Sequence, residues 1–367
     1  MYIHELNGWP RFRWSAEKIA EQLASVRHRQ GRLIGHMEAL GFNLQQEAVL
    51  KTLTADVLKS SEIEGEKLNA EQVRSSIARR LGIDIGALKP VDRNIEGVVE
   101  MMLDATGNYN HRLTSERLFG WHAALFPTGR SGMRKISAGA WRDDSEGPMQ
   151  VASGPLGREH VHYEAPKAEL VDREMTSFLD WFDSNDKIDA VLQAGLAHLW
   201  FVTIHPFDDG NGRIARAIAD MALARSEHSP HRFYSMSAQI QKEHKDYYDI
   251  LERTQKETMD VTPWMEWFLG CLDRAIDGAQ DTLSTVLDKA RFWERIKDVR
   301  LNERQRKVIN RLLDGFDGKL TTSKYAALAK CSQDTAHRDI LALVERRVLV
   351  QNAEGGRSTS YSLAALG

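Results

Sequence analysis

The chain has 367 residues, enough for about two or three domains, and its 42% hydrophobic and 28% charged content is that of an ordinary globular protein rather than a disordered one. A formal net charge of −3 excludes a chain that is basic throughout, and its two cysteines, Cys271 and Cys331, have no second Cys or His at ligand spacing, so they suggest neither a zinc site nor a disulfide framework. The opening MYIHELNGWPRFRW is polar and aromatic, and no apolar run approaches the roughly 18 residues of a membrane span, so a cytoplasmic protein without membrane contact is the expectation.

Ser15 stands where it would cap a helix running to about residue 39, with Ile19, Leu23, Val26 and Leu33 on its apolar face. A second helix is expected at about 44–59, leading into KSSEIEGEKLN. Helical periodicity continues at about 69–81, 91–105, 113–124, 168–183, 187–203, 212–226, 240–256 and 279–296. Residues 128–166 break the pattern with glycines, prolines and two β-prone pieces, Met149–Ala152 and His160–Tyr163, which read as a hairpin on a helical body.

From Leu301 onward eleven Lys/Arg stand against seven Asp/Glu, an excess of +4 that leaves −7 for the rest. Helices at about 302–314, 322–329 and 333–346 precede the β-prone Val348–Gln351 and Thr359–Leu363, the order of a winged helix-turn-helix. Gln333, Thr335, His337 and Arg338 would begin its recognition helix, with Arg357 on the wing, and DNA or a docking protein is the expected partner. The fold class is therefore mainly α. Residues 1–89 form an N-terminal helical region, 90–278 a helical core with a β-hairpin, 279–300 a helical linker and 301–367 the winged module.

The chemistry concentrates in His205-Pro-Phe-Asp-Asp-Gly-Asn-Gly-Arg-Ile-Ala-Arg216, between two apolar helices. Gly210, Asn211 and Gly212, just before a helix, can turn backbone N–H groups inward as an anion nest on the positive end of the helix dipole. Arg213 and Arg216, three apart, project from neighbouring positions and can clamp phosphate oxygens. Asp209 at the edge suits a Mg²⁺ ion shared with the phosphates, and a neutral His205 can take the proton of an attacking hydroxyl.

This segment resembles the Fic family motif H-x-F-x-[DE]-[GA]-N-[GK]-R-x-x-R at every specified position. The resemblance implies a Fic helical bundle and an enzyme that moves AMP from ATP onto a Ser, Thr or Tyr hydroxyl of a target protein. It would make His205 the base, Phe207 the loop anchor, Asp209 the Mg²⁺ ligand, and Gly210, Asn211, Gly212, Arg213 and Arg216 the phosphate site. It also implies that Tyr247, Tyr248 and Leu251 hold adenine, and that residues 149–163 form a flap on which the target docks, with Val151, Val161, His162 and Tyr163 as its candidates. Homodimers are common among such proteins.

Ser60-Ser-Glu-Ile-Glu64-Gly65 fits [ST]-x-x-x-E-[GN], which resembles the inhibitory motif of Fic proteins that carry a regulatory helix on the N-terminal side. The competing reading is local, with Ser61-x-x-Glu64 as a capping box and Gly65 as a helix stop. The position upstream of the loop favours the regulatory reading, in which Glu64 pairs with Arg216. Removal of AMP from a modified target, and nucleotide sensing by a DNA-binding regulator, use the same residues.

Overall fold

Apolar residues recurring every three to four positions, with short polar side chains at the helix starts, give a chain dominated by helix. The computed structural model describes residues 1–85, 88–145, 147–154, 158, 160–184, 188–256, 258–313, 315–316, 318–352 and 359–364, apart from the side chains at 42, 281 and 282. Two compact units result, Met1–Gln280 and Asp281–Gly367.

In the first unit a short 3-10 turn (Ile3–Glu5) precedes α1 (Ala16–Glu38), which starts behind Ser15, whose hydroxyl accepts the Lys18 N–H. α2 (Phe42–Ile63) and α3 (Ala70–Leu81) follow, then α4 (Arg93–Gly107) and α5 (Ser115–Leu125). Two small hairpins come next: β1 (Arg130–Ser131) with β2 (Arg134–Lys135), and β3 (Gln150–Ser153) with β4 (His160–Glu164). The second pairs antiparallel from Gln150 opposite Glu164 to Ser153 opposite His160, with a register shift between Val151 and Ala152. α6 (Ala168–Phe182), α7 (Ala190–Ile204), α8 (Asn211–Glu227), α9 (Met236–Lys242), α10 (His244–Lys256) and the part of α11 (Thr262–Arg295) up to Gln280 complete the bundle.

α7 is apolar on every face and buried from Leu196 to Ile204, so it is the central rod. Its partner α8 buries Ile214, Ala215, Ala217 and Ile218 against it, and this is the most extensive helix pairing of the described residues. α2 packs against α3, α4, α8 and α9. Asp56 fastens it to the start of α9 by accepting the Ser237 N–H at 3.2 Å and the Ser235 hydroxyl. α4 and α5 approach so closely at Gly97 that a Cβ there would overlap the carbonyl of Ala124.

The second unit has its own core, in which Val308, Ile309, Leu320, Tyr325, Ile340, Leu343 and Val348 are buried together. Its elements are α12 (Glu303–Leu313), α13 (Thr322–Ala329), α14 (Gln333–Glu345), β5 (Leu349–Gln351) and β6 (Tyr361–Leu363), with the two strands antiparallel. α14 starts behind Ser332, and Gln333, His337 and Arg338 near its start are exposed while Thr335 is half-buried. Arg357 and the rest of Glu354–Arg357 lie outside the described residues.

Two helix boundaries differ from the sequence expectation. The helix expected at 240–256 is two, because Ser235 caps α9 and the chain restarts as α10 after Glu243. α11 begins at Thr262, well before the expected residue 279. Pro263 in its first turn and the spacing of Trp264, Phe268, Cys271 and Leu272 carry that start signal.

Gly97→Ala should destabilise the first unit by about 3 kcal/mol, since backbone rather than a movable side chain is in the way. Gly31→Ala on the exposed face of α1, where a Cβ meets nothing within 4 Å, should instead stabilise by up to about 1 kcal/mol. Urea unfolding midpoints of the two variants check both signs.

Candidate active site

The loop between α7 and α8 is positioned by both ends. His205 is the C-cap of α7 and takes the left-handed conformation at φ 52°, rare for a residue with a Cβ and a concentration of strain that marks functional positions. Gly210, at φ 78°, is the N-cap of α8, and there the absence of a side chain is required, because a Cβ would press on the Phe126 ring at 2.9 Å. Between them Phe207 is wholly buried, stacked on His122 at 4.2 Å and in contact with Trp141 at 5.0 Å. The Asn211 side chain holds this loop closed: its Oδ1 accepts the Phe207 N–H at 3.0 Å and its Nδ2 donates to the Phe207 carbonyl at 2.8 Å. The amide of Asn211 is thus committed to bracing, and only its backbone is left to face an anion.

His205 Nδ1 lies 3.2 Å from the Val202 carbonyl, an arrangement that places the proton on Nδ1 and leaves Nε2 with its lone pair. Burial pushes its pKa down to about 4, so the imidazole is neutral at physiological pH. Asp209, half-buried, accepts the Gly210 N–H at 2.6 Å and the hydroxyl of Ser131 in β1.

Both arginines of the loop are buried and already paired. Arg216 donates from Nη2 to Glu64 Oε1 at 2.8 Å and to the Ser60 carbonyl at 2.8 Å, and from Nε to Ser60 Oγ at 2.9 Å. Burial alone would lower its pKa, but the Glu64 carboxylate raises it above the ordinary arginine value. Arg213 donates from Nη1 to Glu66 Oε2 at 2.8 Å and lies 5.1 Å over the Phe126 ring. Among the described residues, Arg213 Nε and Arg216 Nη1 are buried donors without an acceptor. A Cβ built on Gly212 would collide with Glu64 Oε1, so the Glu64 carboxylate covers the first turn of α8, where the helix dipole favours an anion.

Glu64 reaches this place because α2 ends at Ile63. Glu64 is its C-cap and Gly65 follows at φ 81°, turning the chain so that Glu66 comes back alongside. The capping-box reading of Ser61-x-x-Glu64 fails, since these residues close a helix rather than open one. Gly65 does stop the helix, as expected locally.

Three residues of the site carry no motif in the sequence. Arg142, fully buried, donates from Nε to the His205 carbonyl at 2.8 Å and from Nη1 to Asp144 at 2.9 Å, tying the approach to the second hairpin to the loop between α7 and α8. His122 supports Phe207 and accepts the Gly139 N–H at 2.9 Å, while burial pushes its pKa down to about 4. Glu66 had a signal available, an acid two residues past Glu64 and beyond a glycine, but only the structure pairs it with Arg213.

The remaining candidates divide. Tyr247 is buried and its hydroxyl lies 2.9 Å from His198 Nε2, so its ring belongs to the core of the bundle; Leu251 is buried too. Tyr248 is 37% exposed, edge-on to His244 at 4.7 Å, and its pKa is pushed up to about 12 by burial and by Glu64. On the second hairpin Val151 and Val161 are half-buried, and each strand has one neighbour among the described residues. Tyr163 corrects the expectation of a docking side chain: it is buried, donating to the Thr203 carbonyl at 2.8 Å, and anchors the hairpin from beneath. His162 is half-buried and held by Ser153 and Glu252.

With this geometry in place, comparison with known proteins is informative. Residues 112–223 match the Fic/DOC family profile, and residues 2–83 match a domain of unknown function, DUF4172. The chain is similar to the protein adenylyltransferase Fic of Nematostella vectensis, 34% identical over 114 residues, which is 30% of this chain and 25% of that one. It is also similar to the protein adenylyltransferase Fic of Aedes aegypti, 28% identical over 222 residues, 59% of this chain and 39% of that one. The matches thus span well under half the length of these relatives. Among solved structures, a Fic family protein from Desulfovibrio desulfuricans aligns over 95% of this chain and 96% of its own with a TM-score of 0.51 at 21% identity. A Fic domain-containing signaling protein from Bacteroides thetaiotaomicron aligns over 72% of this chain and 97% of its own at 0.53 and 19%. No helix of the described residues is long and apolar enough to cross a membrane. The segment bearing His205, Arg213 and Arg216 therefore lies within the residues that match the Fic/DOC family profile, on a fold similar to that of solved Fic-family proteins.

Proposed function

We propose that this protein transfers AMP from ATP to a hydroxyl of a target protein and is held nearly silent by its own Glu64. The observation that carries the reading is the 2.8 Å pair between Glu64 and Arg216, inside a loop that presents a neutral imidazole, a helix start and two buried arginines to one place.

In the reaction the target oxygen attacks the α-phosphorus of ATP, pyrophosphate leaves from the opposite side, and His205 Nε2 takes the hydroxyl proton. Gly210 and Gly212, with the backbone of Asn211, would cradle phosphate at the start of α8, and Arg213 and Arg216 would neutralise the charge that builds on the leaving group. Asp209, a carboxylate beside the nest, fits the role of Mg²⁺ ligand; that ion would supply charge neutralisation at the phosphates. Tyr248 is better placed than Tyr247 to meet the base. The unpaired edge of the hairpin supports docking of an extended target segment by strand addition.

Restraint follows from competition. While Arg216 is committed to Glu64 and Ser60, it is withheld from the γ-phosphate, and a nucleotide that enters is seated out of line for attack. Glu66 would act as a weaker second restraint on Arg213, because its carboxylate is half exposed and screened. For the second unit we propose a winged helix-turn-helix that brings the enzyme to DNA or to a docking protein, supported by its three helices, its antiparallel strand pair and the exposed Gln333, His337 and Arg338.

Purified wild type, Glu64→Gly and Glu64→Gly/His205→Ala proteins incubated with α-labelled ATP and Mg²⁺ should show label on protein only in Glu64→Gly, at least tenfold above wild type. Equal labelling of wild type and Glu64→Gly removes the restraint, and label in the His205→Ala background removes the base. Glu66→Ala alone should raise labelling by no more than a few-fold, and combined with Glu64→Gly it should exceed Glu64→Gly alone. A nitrogen-15 NMR titration of the His205 imidazole should find it neutral throughout the range above about pH 5, given a pKa lowered to about 4; protonation centred near 6.5 contradicts the desolvated site.

A further inference from the structure

β4 carries His160 and His162 two residues apart, so both rings leave the same face of the strand. That strand packs on α10, where Glu252 stands opposite: His162 Nδ1 is 2.5 Å from Glu252 Oε2, and His160 Nε2 is 4.0 Å from Glu252 Oε1. One nitrogen from each ring and one carboxylate oxygen all lie within 4.8 Å of one another, and the two rings meet edge to face at 4.7 Å. The other nitrogen of His162, Nε2, is 2.6 Å from Ser153 Oγ across the hairpin.

We propose that His160, His162 and Glu252 form a binding site for a divalent transition-metal ion, with Zn²⁺ as the ion the donor set suits best. Two imidazoles and a carboxylate favour zinc-class ions over Mg²⁺ or Ca²⁺, which take oxygen ligands. The Ser153 contact is the outer hydrogen bond that metal-binding histidines usually have: with the proton on Nε2 it fixes the ring, and Nδ1, which now meets Glu252, would turn its lone pair to the ion. Bonds of about 2.0–2.1 Å to a tetrahedral ion bring ligand atoms to roughly 3.3 Å apart, so shifts on the order of 1 Å complete the site. His160 is largely exposed, which gives the ion a way in and leaves a fourth position for water. A simple His–Glu hydrogen bond would account for His162 but leaves the convergence of the second ring on the same carboxylate without a role.

One group opposes the ion. Lys256 lies one turn along α10 with its Nζ 2.6 Å from Glu252 Oε1, and it competes as a cation for the same oxygen. The ion must displace it toward solvent, which makes Lys256 a diagnostic. A bound ion would pin β4 to α10; that this would stiffen a target-docking strand rests on the function proposed above, whereas binding itself does not.

The test is a titration of the full-length chain with Zn²⁺ against a chromogenic chelator, without nucleotide or target. Wild type should bind one equivalent with a Kd of micromolar or below, and His160→Ala/His162→Ala should weaken that equivalent at least tenfold. Glu252→Gln, on the helix rather than the hairpin, should do the same, and Lys256→Ala should tighten binding. Hydrogen exchange at residues 160–164 should slow on adding Zn²⁺ to wild type and not to the double variant. No binding by wild type, equal affinity in wild type and either ligand variant, or weaker or unchanged binding by Lys256→Ala overturns the proposal. Since no catalytic step is read, failure here leaves the transfer reading intact, and failure of labelling leaves this one intact.

Discussion

A guanidinium buried in the second turn of α8 constrains everything around it. Arg216 is almost without solvent access, and an arginine in that position must be answered by acceptors close at hand, because an unanswered buried charge is among the most costly features a fold can carry. α2 supplies them from one turn of helix: the Ser60 hydroxyl, the Ser60 carbonyl and the Glu64 carboxylate. The packing of α2 beside α8, the end of α2 at Ile63 and the turn at Gly65 can all be understood as the means of delivering three oxygens to one cation. The same requirement explains a serine at position 60, where a hydroxyl acceptor is needed within reach of Nε.

Most supports of the loop lie far from it in sequence, and one lies within it. Phe207 is set by His122 and Trp141, the His205 carbonyl by Arg142, and the Phe207 backbone by Asn211. A left-handed histidine is tolerable only if its neighbours over-determine it, and here α5 and the segment before the second hairpin both do so. The neutral state of His205 follows from the same enclosure, since the walls that fix the ring also exclude the water that would solvate an imidazolium.

Much of this was legible in the sequence where the governing interactions are local. Ser15 and the periodicity after it mark α1, and the strand pieces around SGPLGRE mark the second hairpin, because caps and repeats of three and four are written in adjacent residues. The loop from His205 to Arg216 was equally readable, being a continuous run whose glycines and arginines speak for themselves. What sequence could not supply was pairing across distance. Arg142 meets His205 from 63 residues away, and Glu66 meets Arg213 from 147. The burial of Tyr163 and Tyr247 was likewise hidden, since an aromatic ring at strand or helix spacing does not say which face is covered. The early start of α11 is written in Pro263 and the aromatic spacing after it, a local signal of the same kind as that of α1.

The anchoring of α2 has a mechanical consequence. Asp56, two turns before Glu64, grips the start of α9, and α3 and α4 press on the same helix. A helix clamped on several sides is a poor lever, so freeing Arg216 by swinging α2 away would break the bundle apart. The carboxylate, by contrast, stands at the helix tip on three rotatable bonds with about a quarter of its side chain open to water. Under the restraint proposed above it would act as a pawl more than an arm: the frame would stay still, and a small rotation at the tip would be enough to release Arg216.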